Sequence, residues 1–404
     1  MKRMLKPFVT LSIFSGIFLY TLQVSGQNST VVSGQDPNRR VITTAIPFLN
    51  FAPDSRHSAM GDAGVATRPD AFSAHWNAGK LAFIDTEMGV SLSYSPWLGR
   101  LVNDMSLSYL TFYKKIDDKS AWGFDLRYFN MGDIQLTDGR GNELGEFTPR
   151  DIAVGGTYSR KLSDKLGLGI SARFIHSNLS GNISSAGGSE SRPGVTIGTD
   201  VGLYYNTEVL SGNKTGEFSW GVSINNIGPK ITYNSADDLD FIPTNFRIGT
   251  AYLINLNETN SLTFTLDLNK LMVPSPPVLL RDENGLLQTD DNGDFIIERG
   301  KDPNRPLING MFTSFYDAPD GFSEELQEVM ISFGAEYIYN QVFALRTGYF
   351  YENPNKGGRR YFTMGFGIDY NKLGFDFSYL VPQVQNHPLA ETLRLSLTYT
   401  IAGK

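Results

Sequence analysis

From Met88 to Ile401 the chain alternates apolar and polar residues with a period of two. In ETLRLSLTYTI, Leu393, Leu395, Leu397, Tyr399 and Ile401 share one face, and Thr392, Arg394, Ser396, Thr398 and Thr400 the other. KLGFDFSYLV sets Leu373, Phe375, Phe377, Tyr379 and Val381 against Gly374, Asp376 and Ser378. Trp122, Phe124, Leu126 and Tyr128 oppose Gly123, Asp125 and Arg127 in the same way. Successive side chains of a strand point to opposite faces, so each segment reads as a strand with one apolar face. About fourteen such segments follow one another, each of about ten residues, the length a tilted membrane strand needs. Strands of a soluble sandwich are usually about five or six residues long. Tyr128, Tyr158, Tyr205, Tyr339, Tyr370 and Tyr399 stand at segment ends, where aromatic girdles meet a membrane interface. The pattern predicts an all-β fold, a transmembrane antiparallel β-barrel of about 14 strands. A closed barrel is also the one sheet that pairs every backbone group in lipid.

The links between segments alternate in length. Asp117–Lys119, Ser163–Lys165, Asn257–Thr259, Asn340–Gln341 and Asn371–Lys372 are tight. Gly132–Pro149, Ser180–Gly194, Gly228–Pro243, Glu352–Arg359 and Pro382–Ala390 are long. Outer-membrane barrels keep short turns in the periplasm and long loops outside, so both termini are expected in the periplasm. The link Thr207–Gly216 breaks the rule, being too long for a minimal turn. The longest connection, Lys270 to Leu326, exceeds ordinary loop lengths and is expected to be functional or disordered.

The residues before the first strand divide into an address and a plug. Lys2, Arg3 and Lys6 precede an apolar stretch, and Val24-Ser25-Gly26 offers a cleavage site, which predicts a signal peptide over 1–26. Residues 27–86 are then a periplasmic lead and hatch, and 87–404 the barrel. Within MGDAGVATRPDAFSAHWNAGKLAF, Gly61 allows close backbone approach and Asp62 follows it. Thr67-Arg68-Pro69-Asp70 looks like a helix start, with Phe72 and Trp76 on one helical face and Asn77 after it. The segment precedes the first strand and is expected at the periplasmic end, and a short hatch tucked into the barrel needs these properties.

The polar faces carry Asp125, Arg127, Arg173, Asp200, Arg247, Asp267, Glu336, Arg346, Asp369, Asp376 and Arg394, nearly balanced in sign. A one-residue slip would turn them to lipid, at roughly 2–4 kcal/mol for an Arg at midplane, so the register is strongly specified. Balanced charges predict a salt-bridged, filled interior. In the longest connection, Phe312, Phe315, Tyr316 and Phe322 are candidate partner-binding residues. The stretch Asp290-Asp291-Asn292-Gly293-Asp294 fails as a calcium loop, because the required Gly falls on Phe295 and the Glu on Lys301.

Composition narrows the chemistry. With no Cys there is neither disulfide nor thiol. His57, His75, His176 and His387 have no metal-site spacing, and no base, nucleophile and orienter can be named together. No catalytic, metal or cofactor site is expected. An acidic net charge of -7 lacks a nucleic-acid footprint.

The pattern GDAG…DAFSAHWN followed by barrel strands resembles the FadL-like outer-membrane family. AIPFLNFAPDSRHSAMGDAGVAT from Ala45, GVSLSYSPWLGRLVNDMSLSYL from Gly89 and INGMFTSFYDAPDGFSEELQE from Ile308 more closely resemble the PorV (LptO) family of the type IX secretion system. One departure is Ala78-Gly79, where the wider family has Asn-Pro-Ala. The resemblance implies a non-enzymatic outer-membrane barrel that binds the C-terminal signal domains of secreted cargo. It also implies transfer from the large translocon to a surface attachment complex containing the sortase-like PorU. A FadL-type channel for hydrophobic small molecules and an accessory role in lipopolysaccharide modification are the alternatives.

Overall fold

A computed structural model describes residues 39–99, 104–137, 140–179, 191–233, 239–283, 286–383 and 392–401. The expected signal peptide and His387 lie outside the described residues. The strands are β1 (Met88–Pro96), β2 (Met105–Lys115), β3 (Ser120–Met131), β4 (Ile134–Thr137), β5 (Glu143–Phe147), β6 (Arg150–Lys161), β7 (Leu166–Asn178), β8 (Gly194–Ser211) and β9 (Lys214–Ile227). They continue as β10 (Asn245–Asn255), β11 (Ser261–Leu271), β12 (Val278–Leu279), β13 (Ile297–Arg299), β14 (Met330–Tyr339), β15 (Phe343–Tyr351), β16 (Arg360–Tyr370), β17 (Leu373–Pro382) and β18 (Leu393–Ile401). Single-turn helices α1 (Ser55–Ser58) and α2 (Ser73–Trp76) precede them. Helices α3 (Leu307–Thr313) and α4 (Phe322–Gln327) lie in the longest connection.

Fourteen antiparallel strands close into one barrel, with β1 pairing β18 from Met88↔Ile401 to Tyr94↔Leu395. The pairs β4–β5 and β12–β13 are separate two-stranded hairpins within long links. Period two decides which face is which. Val90, Leu92, Tyr94, Leu395 and Leu397 look outward, while Ser91, Ser93, Arg394 and Ser396 are buried inward. Outward Leu92 stands opposite both Leu397 and Leu110, so the register keeps each apolar row facing lipid.

All the tight links expected from the sequence are tight turns at one mouth of the barrel. Asn340, Gln341 and Asn371 take left-handed backbone there, with φ 54, 56 and 56. Asn tolerates that region better than most side chains. The supposed exception, Thr207–Gly216, is corrected: β8 and β9 run on through it, leaving Gly212-Asn213 as a two-residue turn. The connection between Lys270 and Leu326 is not structureless, since it carries β12, β13 and α3 and enters α4.

The first described residues lie at the long-loop mouth. Arg39 Nε donates to Pro354 O (3.4 Å) in the link between β15 and β16, and Ala45 N donates to Phe241 O (2.9 Å) in the link between β9 and β10. Both links are long ones. The chain then passes down the lumen, and Glu87 N reaches Ile401 O (2.9 Å) at the opposite, short-turn mouth. The hatch therefore fills the barrel. Arg39 and Ile401, the first and last described residues, stand at opposite mouths of the barrel. No sequence pattern states by which mouth a leading segment enters. These two hydrogen bonds settle it.

The absence of native Cys makes single-cysteine labelling clean. Cysteines at Arg39 and Asn355 should react with an impermeant maleimide from the same side of the membrane, and one at Asp164 from the other. Arg39 and Asp164 reacting together would contradict the threaded path.

Candidate functional site

The hatch is a knot of buried polar groups. Asp54 Oδ2 accepts from His57 N (2.9 Å), capping α1, and lies 2.8 Å from His57 Nδ1. Asp54 Oδ1 accepts from Trp76 Nε1 (2.8 Å). His57 Nε2 is 2.9 Å from Thr67 Oγ1, and Lys80 Nζ donates to Thr67 Oγ1 (2.9 Å) and Gly64 O (2.8 Å). An acid, an imidazole and a hydroxyl thus stand in line, but Asp54, His57, Thr67 and Lys80 are all fully buried in the hatch itself. Buried polar groups must be satisfied, and here they satisfy one another.

The barrel wall supplies further partners. Asp267 Oδ2 accepts from Gly64 N (2.7 Å) and Val65 N (2.9 Å). Gly61 N donates to Thr363 Oγ1 (2.9 Å), which donates on to Ala59 O (2.9 Å). Ser55 N donates to Ser396 Oγ (3.0 Å), and Asn77 Nδ2 donates to Leu203 O (2.8 Å). Tyr361 Oη donates to Asp62 Oδ2 (2.6 Å). The hatch backbone lies directly on wall glycines. A Cβ on Gly348 would come within 2.2 Å of Gly61 N, and one on Gly169 within 2.2 Å of the Ala78 carbonyl carbon.

Gly61, Asp62, Phe72, Trp76 and Asn77 all lie in this plug. The helix expected from Thr67 starts later, at Ser73. Asp70 N donates to Ser73 Oγ (2.8 Å) and Asp70 Oδ1 accepts from Phe72 N (3.0 Å), which makes the Asp70 region a turn. Phe72 and Trp76 still share one apolar cluster, with Ala52 and Tyr109. Two further apolar layers close the ends. Phe48, Leu49, Trp97, Leu107 and Phe129 pack at the long-loop mouth. Ala71, Leu81, Ile84, Tyr113 and Ala121 pack at the other.

The lumen charges are paired in part. Arg173 meets Asp200 through both terminal guanidinium nitrogens (3.1 and 2.5 Å). Arg346 bridges Glu336 (2.6 Å) and Asp376 (2.5 Å), while hatch Arg56 bridges Glu336 (3.0 Å) and Asp70 (2.9 Å). Arg127 approaches Asp125 at 3.5 Å and donates to Leu49 O (2.9 Å). Three buried lumen charges stand outside these ion pairs. Arg247 and Arg394 form no ion pair among the described residues and lie over the rings of Trp76 and Trp97, at 5.3 and 5.9 Å. Asp267 serves the hatch backbone instead of an Arg. Asp369 is exposed near the short-turn mouth, beside a cavity of about 420 Å³ that Arg68 and Asn257 also line.

A second polar network, not anticipated, clamps the long connection. Arg40 donates to Asp320 (2.5 Å) and Glu324 (2.8 Å), and Lys356 donates to Glu324 (2.6 Å) and Glu328 (2.8 Å). Lys270 donates to Glu325 (2.9 Å) and Glu328 (2.5 Å). Every carboxylate of α4 thus turns inward, and Phe322, 76% exposed, and Leu326 are left outside. Phe312 and Tyr316 are each 61% exposed. Phe315 is set apart, with its ring edge-on to outward-facing Phe246 at 6.1 Å.

A family model described as "Type IX secretion system protein PorV" matches residues 34–278, more than half of the chain. The chain belongs to the PorV family. It is a type IX secretion protein of the outer membrane, and its closed barrel leaves no unpaired sheet edge to lipid. No curated protein matches. Among solved structures, the Ralstonia pickettii toluene transporter TbuX is 13% identical with a TM-score of 0.47, over 88% of this chain and 98% of that one. A Pseudomonas aeruginosa FadL homologue is 13% identical with a TM-score of 0.41, over 89% and 99%.

The clamp on α4 is titratable. Burial alone would raise Glu324, but hydrogen bonds from Arg40 and Lys356 more than reverse this and hold it at about 2, below its ordinary 4.5. A depressed carboxylate stabilises the folded form above its unfolded value and ceases to do so as pH falls through the folded one. The clamp should therefore hold at pH 5 and loosen as pH falls from 4.5 toward 2, read as rising mobility of a spin label at Ser323. Glu324→Gln should show that mobility already at pH 7. Mobility independent of pH and of this substitution would contradict the clamp.

Proposed function

We propose that this PorV-family barrel binds secreted cargo through its C-terminal signal domain at the long-loop mouth. It receives cargo from the large translocon and passes it to the surface attachment complex with its PorU-like subunit. In this reading the long loops are extracellular and the short turns periplasmic. The barrel acts as a rigid platform rather than a conduit, and no chemistry is asked of it.

The observation that carries the reading is the clamped connection. Ion pairs from Arg40, Lys270 and Lys356 hold α4 in place, so Phe312, Tyr316 and Phe322 are offered to solvent from an ordered support. Preorganised aromatics lose little freedom on binding, and aromatic residues are enriched at binding hot spots. Phe315 contributes as the residue that seats the patch on Phe246. The alternative of a channel for hydrophobic molecules finds little support in a lumen occupied by the hatch and lined by Ser, Thr, Gly and charge.

Phe312→Ala combined with Phe322→Ala should leave a heat-modifiable barrel in the outer membrane. Capture of a purified C-terminal signal domain should fall about thirtyfold, corresponding to ~2 kcal/mol. A folded double variant that binds and exports cargo at wild-type levels would remove this patch from the function.

A further inference from the structure

At the short-turn mouth one hairpin outruns its neighbours. β8 pairs with β7 only as far as Tyr205 opposite Leu166, and Asn206 N donates to Lys165 O (2.9 Å). β9 pairs with β10 only as far as Gly216 opposite Ile254. Yet β8 and β9 continue to pair with each other, Thr207↔Phe218, Glu208↔Glu217, Val209↔Gly216, Leu210↔Thr215 and Ser211↔Lys214. Residues 207–211 therefore form one side of a ribbon beyond the turn of β7, roughly 17 Å long at about 3.4 Å per residue.

Backbone groups of a strand alternate between its two edges. Asn206 turns its N–H toward β7, so Glu208 and Leu210 present their N–H and C=O groups on that same edge. Among the described residues no strand lies there. Thr207, Val209 and Ser211 turn theirs toward β9. An open edge is a template for another strand, and proteins usually blunt it. This one is flanked by Leu210, which at 79% is the most exposed large apolar side chain among the described residues. Beside it, Glu208 is exposed and makes no ion pair among the described residues. The carboxylate opposite, Glu217, is already held by Arg68 of the hatch and by Asn206.

We propose that the free edge of β8 at Glu208–Leu210 takes up an extended segment of a periplasmic partner as an added strand. The segment carries an apolar side chain against Leu210 and a basic one opposite Glu208. Main-chain hydrogen bonds supply the affinity, and the two side chains the choice of partner. The proposal rests on the reading that short turns are periplasmic.

Proline distinguishes this edge from the ribbon's own ladder. Leu210→Pro removes an N–H that points outward, whereas Val209→Pro would remove one bonded to β9. A benzoylphenylalanine photoprobe at Glu208 in intact cells should give one adduct with a periplasmic protein, mapping to an extended, Lys- or Arg-bearing segment. Adding Leu210→Pro should reduce that adduct at least tenfold while heat-modifiability stays at the wild-type value. No adduct, an adduct with a second copy of this chain, or an adduct undiminished by Leu210→Pro would each overturn the proposal. A cysteine at Asn213 labelled by impermeant maleimide from outside would show that the orientation itself is at fault.

Discussion

The hatch backbone has to find hydrogen bonds inside a barrel that water does not freely fill. An unmade buried bond costs about 1–3 kcal/mol, so irregular chain at this depth persists only where the wall answers it. Asp267 takes two hatch amides, Thr363 takes one and gives to a carbonyl, and Ser396 takes another. Gly348 and Gly169 leave room for these approaches. The strand register follows from the same need, because a one-residue slip would turn Asp267, Thr363 and Ser396 to lipid and leave the hatch unanswered.

The hatch and the inward charges together fill the lumen. Charges in the interior join hatch to wall, as Arg56 does between Asp70 and Glu336. Removing one partner of such a buried pair typically costs about 3–5 kcal/mol, so the hatch is held by more than packing. At the long-loop rim a further set of buried charges orders α4 and leaves aromatics outside. The two mouths differ accordingly, one carrying an apolar platform and the other a projecting ribbon with an open edge.

Much of this was legible in the residues. Period two and the alternation of link lengths specified the barrel, its strand number and the inward face of Arg173, Glu336 and Arg346. The charge partners were less legible, since Arg40 and Glu324 are 284 residues apart and nothing local joins them. The wall glycines alternate like any small inward residue, and only the hatch lying on them explains why a larger side chain fails. Thr207–Gly216 looked like a long turn because Glu208 and Leu210 alternate too briefly to announce a strand. The entry mouth of the hatch depends on Arg39 and Ala45 meeting loops far along the chain, which pattern alone cannot express.

The central claim is that cargo is handled at the surface while the hatch stays in place. Ser396 Oγ and Ser55 Oγ are 3.0 Å apart across the hatch–wall boundary, in a chain with no other thiol to interfere. Ser55→Cys with Ser396→Cys can therefore lock the hatch by oxidation, and cargo secretion can be measured before and after reduction. The account predicts wild-type secretion in both states. Secretion blocked by the oxidised lock and restored by reductant would contradict it, because the lumen would then have to open.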